Sequence, residues 1–436
     1  MTEYASVQAL VQLGLALAGL LIVRTLPKPD YALFAAANAM LVICTALADT
    51  GLSMGLLSLG GRVWQDPARY HHLFHAALKL RTRFTLVALA LCLPIAAWSL
   101  HRNGAGHATT LALCALLALG MLPLVQLRLW VVTSQLFSDY RRLQKVELAH
   151  AWLRLALLGL LNLAGLNAIL AFVAGAAGNW FQWLLMKQNV AHRLSPQPTA
   201  STPGTVSSRD TRELLQLSRR CLPNTLFFCL QGQLTTLILM LAANPIGLAD
   251  LTALGRLAAI FLVGSVTFTN VLAPRFARCQ DAHRLRRQYL LSLSAALGLL
   301  VPVAMFAWIF PTPCLWLLGP KYSSLSSECG WLVTAGCVAQ LGGIMWSLNS
   351  GKAWIRFQSR AFIPTLLAIQ VIAALSLNLA NLHDLLIFNL LTALAPLPIY
   401  LADALAGLRS LANLPSAPAP ATLSAPAFPL NSQSLP

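Results

Sequence analysis

Apolar stretches about twenty residues long recur along the whole chain, broken by short segments rich in Arg, Lys, Pro and Asn. A helix needs about 20 apolar residues to cross a bilayer core. Windows of that length predict spans at 5–23, 31–53, 84–100, 109–133, 148–166, 168–186, 222–243, 250–273, 289–310, 329–350, 361–380 and 385–404. Only Gly165-Leu166-Asn167 separates the fifth span from the sixth, which predicts a tight helical hairpin there.

Two segments break the pattern. Residues 194–209 are Pro, Ser and Thr-rich and read as a flexible linker, and the uncharged Pro/Ala/Ser tail reads as disordered. The organisation expected is a six-helix transmembrane bundle over 1–190, a cytoplasmic linker over 191–215, a second six-helix bundle over 216–410 and a tail over 411–436. Six crossings return the chain to its starting side, so related halves would be parallel repeats about an axis normal to the membrane. Both halves open alike, with Pro27-Lys28-Pro29-Asp30 and Asn244-Pro245-Ile246-Gly247 forming polar turns after their first spans.

Composition agrees. Of 436 residues 57% are hydrophobic and 10% charged, whereas a soluble domain carries about 25% charged residues. Twelve spans would need roughly 240 apolar residues, which the chain has. Soluble, fibrous, disordered and disulfide-scaffold classes are excluded.

The net charge of +17 suggests nucleic acid until the cations are located. With both termini inside, 23 Lys and Arg fall in the inner segments and 4 (Arg24, Lys28, Arg102, Lys321) in the outer ones. That asymmetry is the positive-inside rule. No basic stripe interleaved with aromatics is present, so no nucleic-acid partner is expected. The nine cysteines have no C-x-x-C spacing, so neither a metal knuckle nor a disulfide framework is indicated. Cys314 and Cys329 could meet on the outer face, although packing as small residues is the preferred reading. Glu3 stands where a cleavable signal would carry a basic region.

Polar groups inside the spans carry the candidate chemistry. A charge at the bilayer centre costs ~2.5–3.5 kcal/mol on insertion scales, so each one needs a partner or an aqueous cavity. Thr252, Arg256, Ala259, Val263, Thr267 and Asn270 share one helix face, as do Glu147, His150, Arg154, Leu158 and Asn162. Asp49 is the sole acid well inside a span, either an ion-pair partner for an arginine or a proton carrier. Arg154 can pair with Glu147 or His150, and Arg128 can snorkel to the cytoplasmic surface. His71 and His75 have a zinc-compatible spacing, but nothing supplies further ligands, and Arg69 to Leu80 reads as an interfacial amphipathic helix. There is no phosphate-loop, zinc-protease or nucleophile-elbow motif, so neither an enzyme nor a nucleotide-driven pump is expected, and no cofactor.

The stretch from Gly19 to Phe34, with Arg24-Thr25-Leu26-Pro27-Lys28-Pro29-Asp30-Tyr31 at its centre, and Leu47-Ala48-Asp49-Thr50-Gly51-Leu52 resemble the opening of bacterial polysaccharide flippases. These are O-antigen and exopolysaccharide exporters of the multidrug/oligosaccharidyl-lipid/polysaccharide superfamily. Pro223, Ala253-Leu254-Gly255-Arg256-Leu257, Pro274-Arg275-Phe276-Ala277-Arg278 and Leu318-Gly319-Pro320-Lys321-Tyr322 extend the resemblance over roughly residues 5–405. It implies two bundles around a central cavity, alternating access and an undecaprenyl-pyrophosphate-linked oligosaccharide as cargo. It further implies the bacterial inner membrane, with membrane lipids and other polysaccharide-assembly membrane proteins as partners.

The cavity candidates are then Arg256, Arg154, Arg128 and Arg24, with Asp49, Glu147 and His150 as ion-coupling or structural pairs. Several arginines against one deep aspartate suit an anionic cargo. The competing readings are a drug or organic-cation antiporter of the same superfamily, which would favour an acidic cavity, and a non-transporting membrane partner of glycan assembly.

Overall fold

The computed structural model describes residues 2–137, 139–191, 206–257, 276, 282–352 and 354–412. All regular structure among them is helical. The first half contains α1 (Thr2–Thr25), α2 (Lys28–Asp49), α3 (Leu52–Val63), α4 (Pro67–Arg102), α5 (His107–Leu136), α6 (Tyr140–Leu163) and α7 (Ala168–Ala191). The second contains α8 (Val206–Leu241), α9 (described over 245–257), α10 (Ala282–Ile309), α11 (Pro311–Leu318), α12 (Ser326–Gly351), α13 (Gln358–Ser376), α14 (Leu382–Leu394) and α15 (Leu397–Ala412). A short 3-10 turn, Pro320–Tyr322, lies between α11 and α12.

Eleven of the expected spans appear as helices long and apolar enough to cross a membrane. The other, 250–273, begins within α9, and its remainder lies outside the described residues. Most of the expected linker (192–205) and tail (413–436) lies there too. The linker's last ten residues, however, belong to α8, which starts at Val206. Its first turns (Val206-Ser-Ser-Arg-Asp-Thr-Arg-Glu) are polar enough to read as loop, but a helix already propagating from the apolar span extends through them at little cost.

Two further differences lie toward the cation-rich end. The second span breaks at Thr50 and Gly51, both in left-handed backbone (φ 39° and 79°), and resumes as α3. The segment from Arg69 to Leu80 is not a separate interfacial helix but the start of α4. One stripe explains its continuity: Tyr70, Phe74, Ala77, Arg81, Thr85, Ala88, Cys92, Ala96 and Ser99 are all buried and spaced by three or four. With 36 residues each, α4 and α8 would be ~54 Å long at 1.5 Å per residue, well beyond the ~30 Å hydrocarbon core.

The cores show how the halves meet. One apolar cluster runs through both at the cation-poor end, joining Leu26, Tyr31 and Leu100 to Leu248, Leu318 and Tyr322. At the cation-rich end the cores are separate: one is built from α3 to α7 and the start of α8, and two others from α10, α12, α13 and α15 with their neighbours. Among the described residues the halves therefore share one core at the cation-poor end, while at the other end their cores are separate and α8 packs against the first half.

Candidate functional site

At the cation-poor rim, short turns bring polar groups of the two halves together. Lys28 Nζ on α2 lies 2.7 Å from Asp250 Oδ1 on α9 and 5.0 Å from the centre of the Tyr322 ring. Lys321, across the rim, donates to the carbonyls of Arg24 (3.0 Å), Thr25 (3.3 Å) and Leu26 (2.8 Å). Those carbonyls end α1, where no intrahelical N–H remains to satisfy them and the helix dipole favours a cation. Partial burial lowers the Lys321 ammonium from its ordinary pKa. Asn103, at the end of α4, donates to Met240 O on α8 at 3.1 Å. These contacts tie the halves together at three separate points.

Arg24 belongs to this rim. It is exposed, and its guanidinium lies 5.1 Å from the centre of the Trp316 ring. Five residues, or ~7.5 Å along the helix, separate it from Gly19, where Arg256 packs. It thus stands above the central arginines as an outer-rim residue rather than a member of their cluster.

Arg256 reaches from α9 to α1. Its Cδ and Nη1 lie 3.4 and 3.5 Å from the position a Cβ on Gly19 would occupy. Arg154 approaches from α6, which packs on α1 through Gly14 against Ala151. Its Nη2 faces Gly175 at 3.8 Å, and its buried Nε has no hydrogen-bond partner. It lines a cavity of about 50 Å³ with Asn38 and Asn179. The charge of Arg256 acts on that of Arg154, so each half contributes an arginine within electrostatic reach of the other. Neither has a carboxylate partner among the described residues.

The pairing with Glu147 considered for Arg154 is not formed. His150 instead sits one turn from Arg154, buried against Gly178, with Nε2 unpartnered. Glu147 is half-buried and within electrostatic reach of Arg128, which is exposed on α5.

Asp49 does have an arginine, but not one of the three inside spans. Arg81 Nη1 on α4 lies 2.9 Å from Asp49 Oδ1 and donates to Ser53 Oγ at 2.8 Å. Ser53 in turn donates its hydroxyl and its backbone N–H to Asp49, at 2.8 and 3.1 Å. Arg81 was counted above among the loop cations, between Lys79 and Arg83. Its place on the small-residue stripe of α4 was the signal that it turns inward. The charge of Arg128 also acts on Arg81, as it does on Glu147. His71 and His75 pack ring to ring at 4.3 Å, and no group of three metal-ligating side chains occurs among the described residues. Cys314 and Cys329 are neighbouring free thiols.

No family model matches the chain, and no curated protein matches it in sequence. Solved structures do. An inward-facing multidrug resistance MATE family transporter of the MOP superfamily superposes with a TM-score of 0.64 at 14% identity, covering 93% of this chain and 98% of its own. The chain has the MATE transporter fold. An outward-facing MATE transporter of the MOP superfamily superposes with a TM-score of 0.55 at 13% identity, covering 94% of each chain. A mutant Vibrio cholerae MATE transporter gives 0.58 at 14% identity, covering 95% of this chain and 99% of its own. The all-helical transporter architecture expected from the sequence, with eleven of its twelve spans among the described residues, is therefore the fold observed.

Proposed function

We propose that the protein is a transporter of the bacterial inner membrane that flips an undecaprenyl-pyrophosphate-linked oligosaccharide by alternating access, driven by an ion gradient. The observation that carries this reading is that Arg154 and Arg256 lie within electrostatic reach of one another, supplied by different halves and lacking carboxylate partners among the described residues. Two such cations repel one another, and a pyrophosphate bound between them relieves that repulsion while accepting bidentate hydrogen bonds. The shared core at the cation-poor end and the separate cores at the other correspond to an inward-facing state, in which a cytoplasmic cargo would meet these arginines.

A second reading, antiport of a drug or organic cation, is favoured by the multidrug MATE transporter in the comparison. The charge of the site opposes it. Asp49, the acid such a cargo would need, is already engaged by Arg81. Proteoliposomes separate the two. Purified protein should move a fluorescent undecaprenyl-pyrophosphate oligosaccharide between leaflets and should not accumulate a fluorescent organic cation. Cation uptake without lipid movement overturns the proposal in favour of the antiporter.

A further inference from the structure

A groove between α2, α4 and α8 stands apart from the central arginines. It encloses about 420 Å³, within the usual ligand-pocket range of about 300–1,000 Å³. Its α8 wall is the stripe Leu215, Arg219, Leu222 and Leu226, one face of a helix. Val87 and Leu91 on the α4 wall are 58% and 57% exposed, so the groove opens on the flank that lipid covers.

Three observations separate it from an ordinary lipid-facing crevice. Ser218 and Thr50 both line it, are only 3% and 9% exposed, and have hydroxyl groups with no hydrogen-bond partner. Helical hydroxyls normally bond back to a carbonyl one turn earlier, as Thr85 does to Arg81 and Thr133 to Leu129. A buried polar group left unpaired costs ~1–3 kcal/mol, so the groove wall carries two polar groups that the protein leaves unmatched. Second, the only charged group on the lining is cationic: Arg219 is exposed at the cation-rich end. Third, the same helix faces continue toward that end with Arg83 below Val87 and Arg212 below Leu215, both exposed. The groove is apolar along its length, has two unmatched hydroxyls in its wall and is basic at one end.

We infer that this groove is a binding site for one anionic phospholipid, independent of what the central cavity carries. One fatty chain lies along Leu222, Leu226 and Leu91. The phosphate meets Arg219. A volume of about 420 Å³ suits a single fatty chain rather than the far longer chain of a polyprenyl carrier. The seat lies on the seam between the first half and α8, beside the break at Thr50 and Gly51. Lipid held there packs between α8 and the first half at the cation-rich end.

The full-length protein in detergent is titrated separately with phosphatidylglycerol, phosphatidylcholine of the same chains, and undecaprenyl phosphate, and bound lipids are counted by native mass spectrometry. A basic residue at an anionic lipid surface is worth ~1 kcal/mol, about fivefold in binding. Wild type should therefore hold one phosphatidylglycerol at least about fivefold more tightly than phosphatidylcholine, and Arg219→Ala should erase that preference. Leu222→Trp, which fills the groove, should lose this one lipid, whereas Leu111→Trp on the exposed face of α5 should keep it. Arg219 is exposed, so its variant reports even if the tryptophan variant does not fold. Equal retention of both phospholipids by wild type, unchanged selectivity in Arg219→Ala, or displacement of phosphatidylglycerol by undecaprenyl phosphate overturns the inference.

Discussion

Arg81 Nη1 and Asp49 Oδ1 lie 2.9 Å apart at the point where the second apolar span breaks. Arg81 is 1% exposed, and Ser53 completes a triangle with both side chains. The pair joins α4 to the junction of α2 and α3, so an element of the first half's cation-rich end is fixed by one ionic contact.

Removing the carboxylate tests whether that contact is structural. Breaking a buried pair from one side costs ~3–5 kcal/mol when both partners are enclosed. Asp49 is partly exposed (31% of its side chain), so the loss should fall at or below the lower figure. Asp49→Asn should lower the melting temperature in detergent, and adding Arg81→Gln should restore part of it. A proton-carrying Asp49 would instead give Asp49→Asn normal melting with transport lost.

The central arginines should be separable from the fold. A hydrogen bond to a charged group contributes ~1.5–3 kcal/mol, or roughly 10- to 150-fold. Arg256→Ala should reduce lipid-linked oligosaccharide movement by at least the lower factor, and Arg256→Lys should keep part of it, because the charge survives and the bidentate fork does not. Arg154→Ala should behave alike. Full movement by Arg256→Ala at normal protein levels would remove that residue from the mechanism.

The closed rim predicts a latch. Lys321 caps three carbonyls of α1, and Lys28 holds Asp250. The double variant Lys28→Ala with Lys321→Ala should shift the ensemble toward an open cation-poor end. Spin labels at Ala108, at the start of α5, and Ala380, in the turn before α14, both exposed, should show a longer distance population than wild type. An unchanged distance distribution would mean that the shared apolar core alone keeps the rim shut.

Gly51 gives a steric test. Its φ is +79°, and an added Cβ would come within 2.6 Å of Cys221 Cβ on α8. Left-handed backbone costs an L-residue ~1–2 kcal/mol before any clash is counted. Gly51→Ala should therefore lower thermal stability, and Cys221→Gly in the same protein should recover only the steric share.

Residue order alone determined the membrane class, the helical spans, the two-half organisation and the asymmetry of cations, because each follows from the cost of placing apolar or charged side chains in water or lipid. The turn at Gly165-Leu166-Asn167 was legible for the same reason. What the tertiary structure decided was pairing. Arg81 looked like a loop cation until α4 ran on through it, and its partner Asp49 is 32 residues away in the chain. Arg24 looked like a cavity residue until Trp316, nearly three hundred positions later, took it to the rim. The electrostatic reach of Arg256 to Arg154 likewise depends on how α6 and α9 sit about α1. Hydrophobic periodicity records which face of a helix leaves water, and it carries no term for which helix that face will meet.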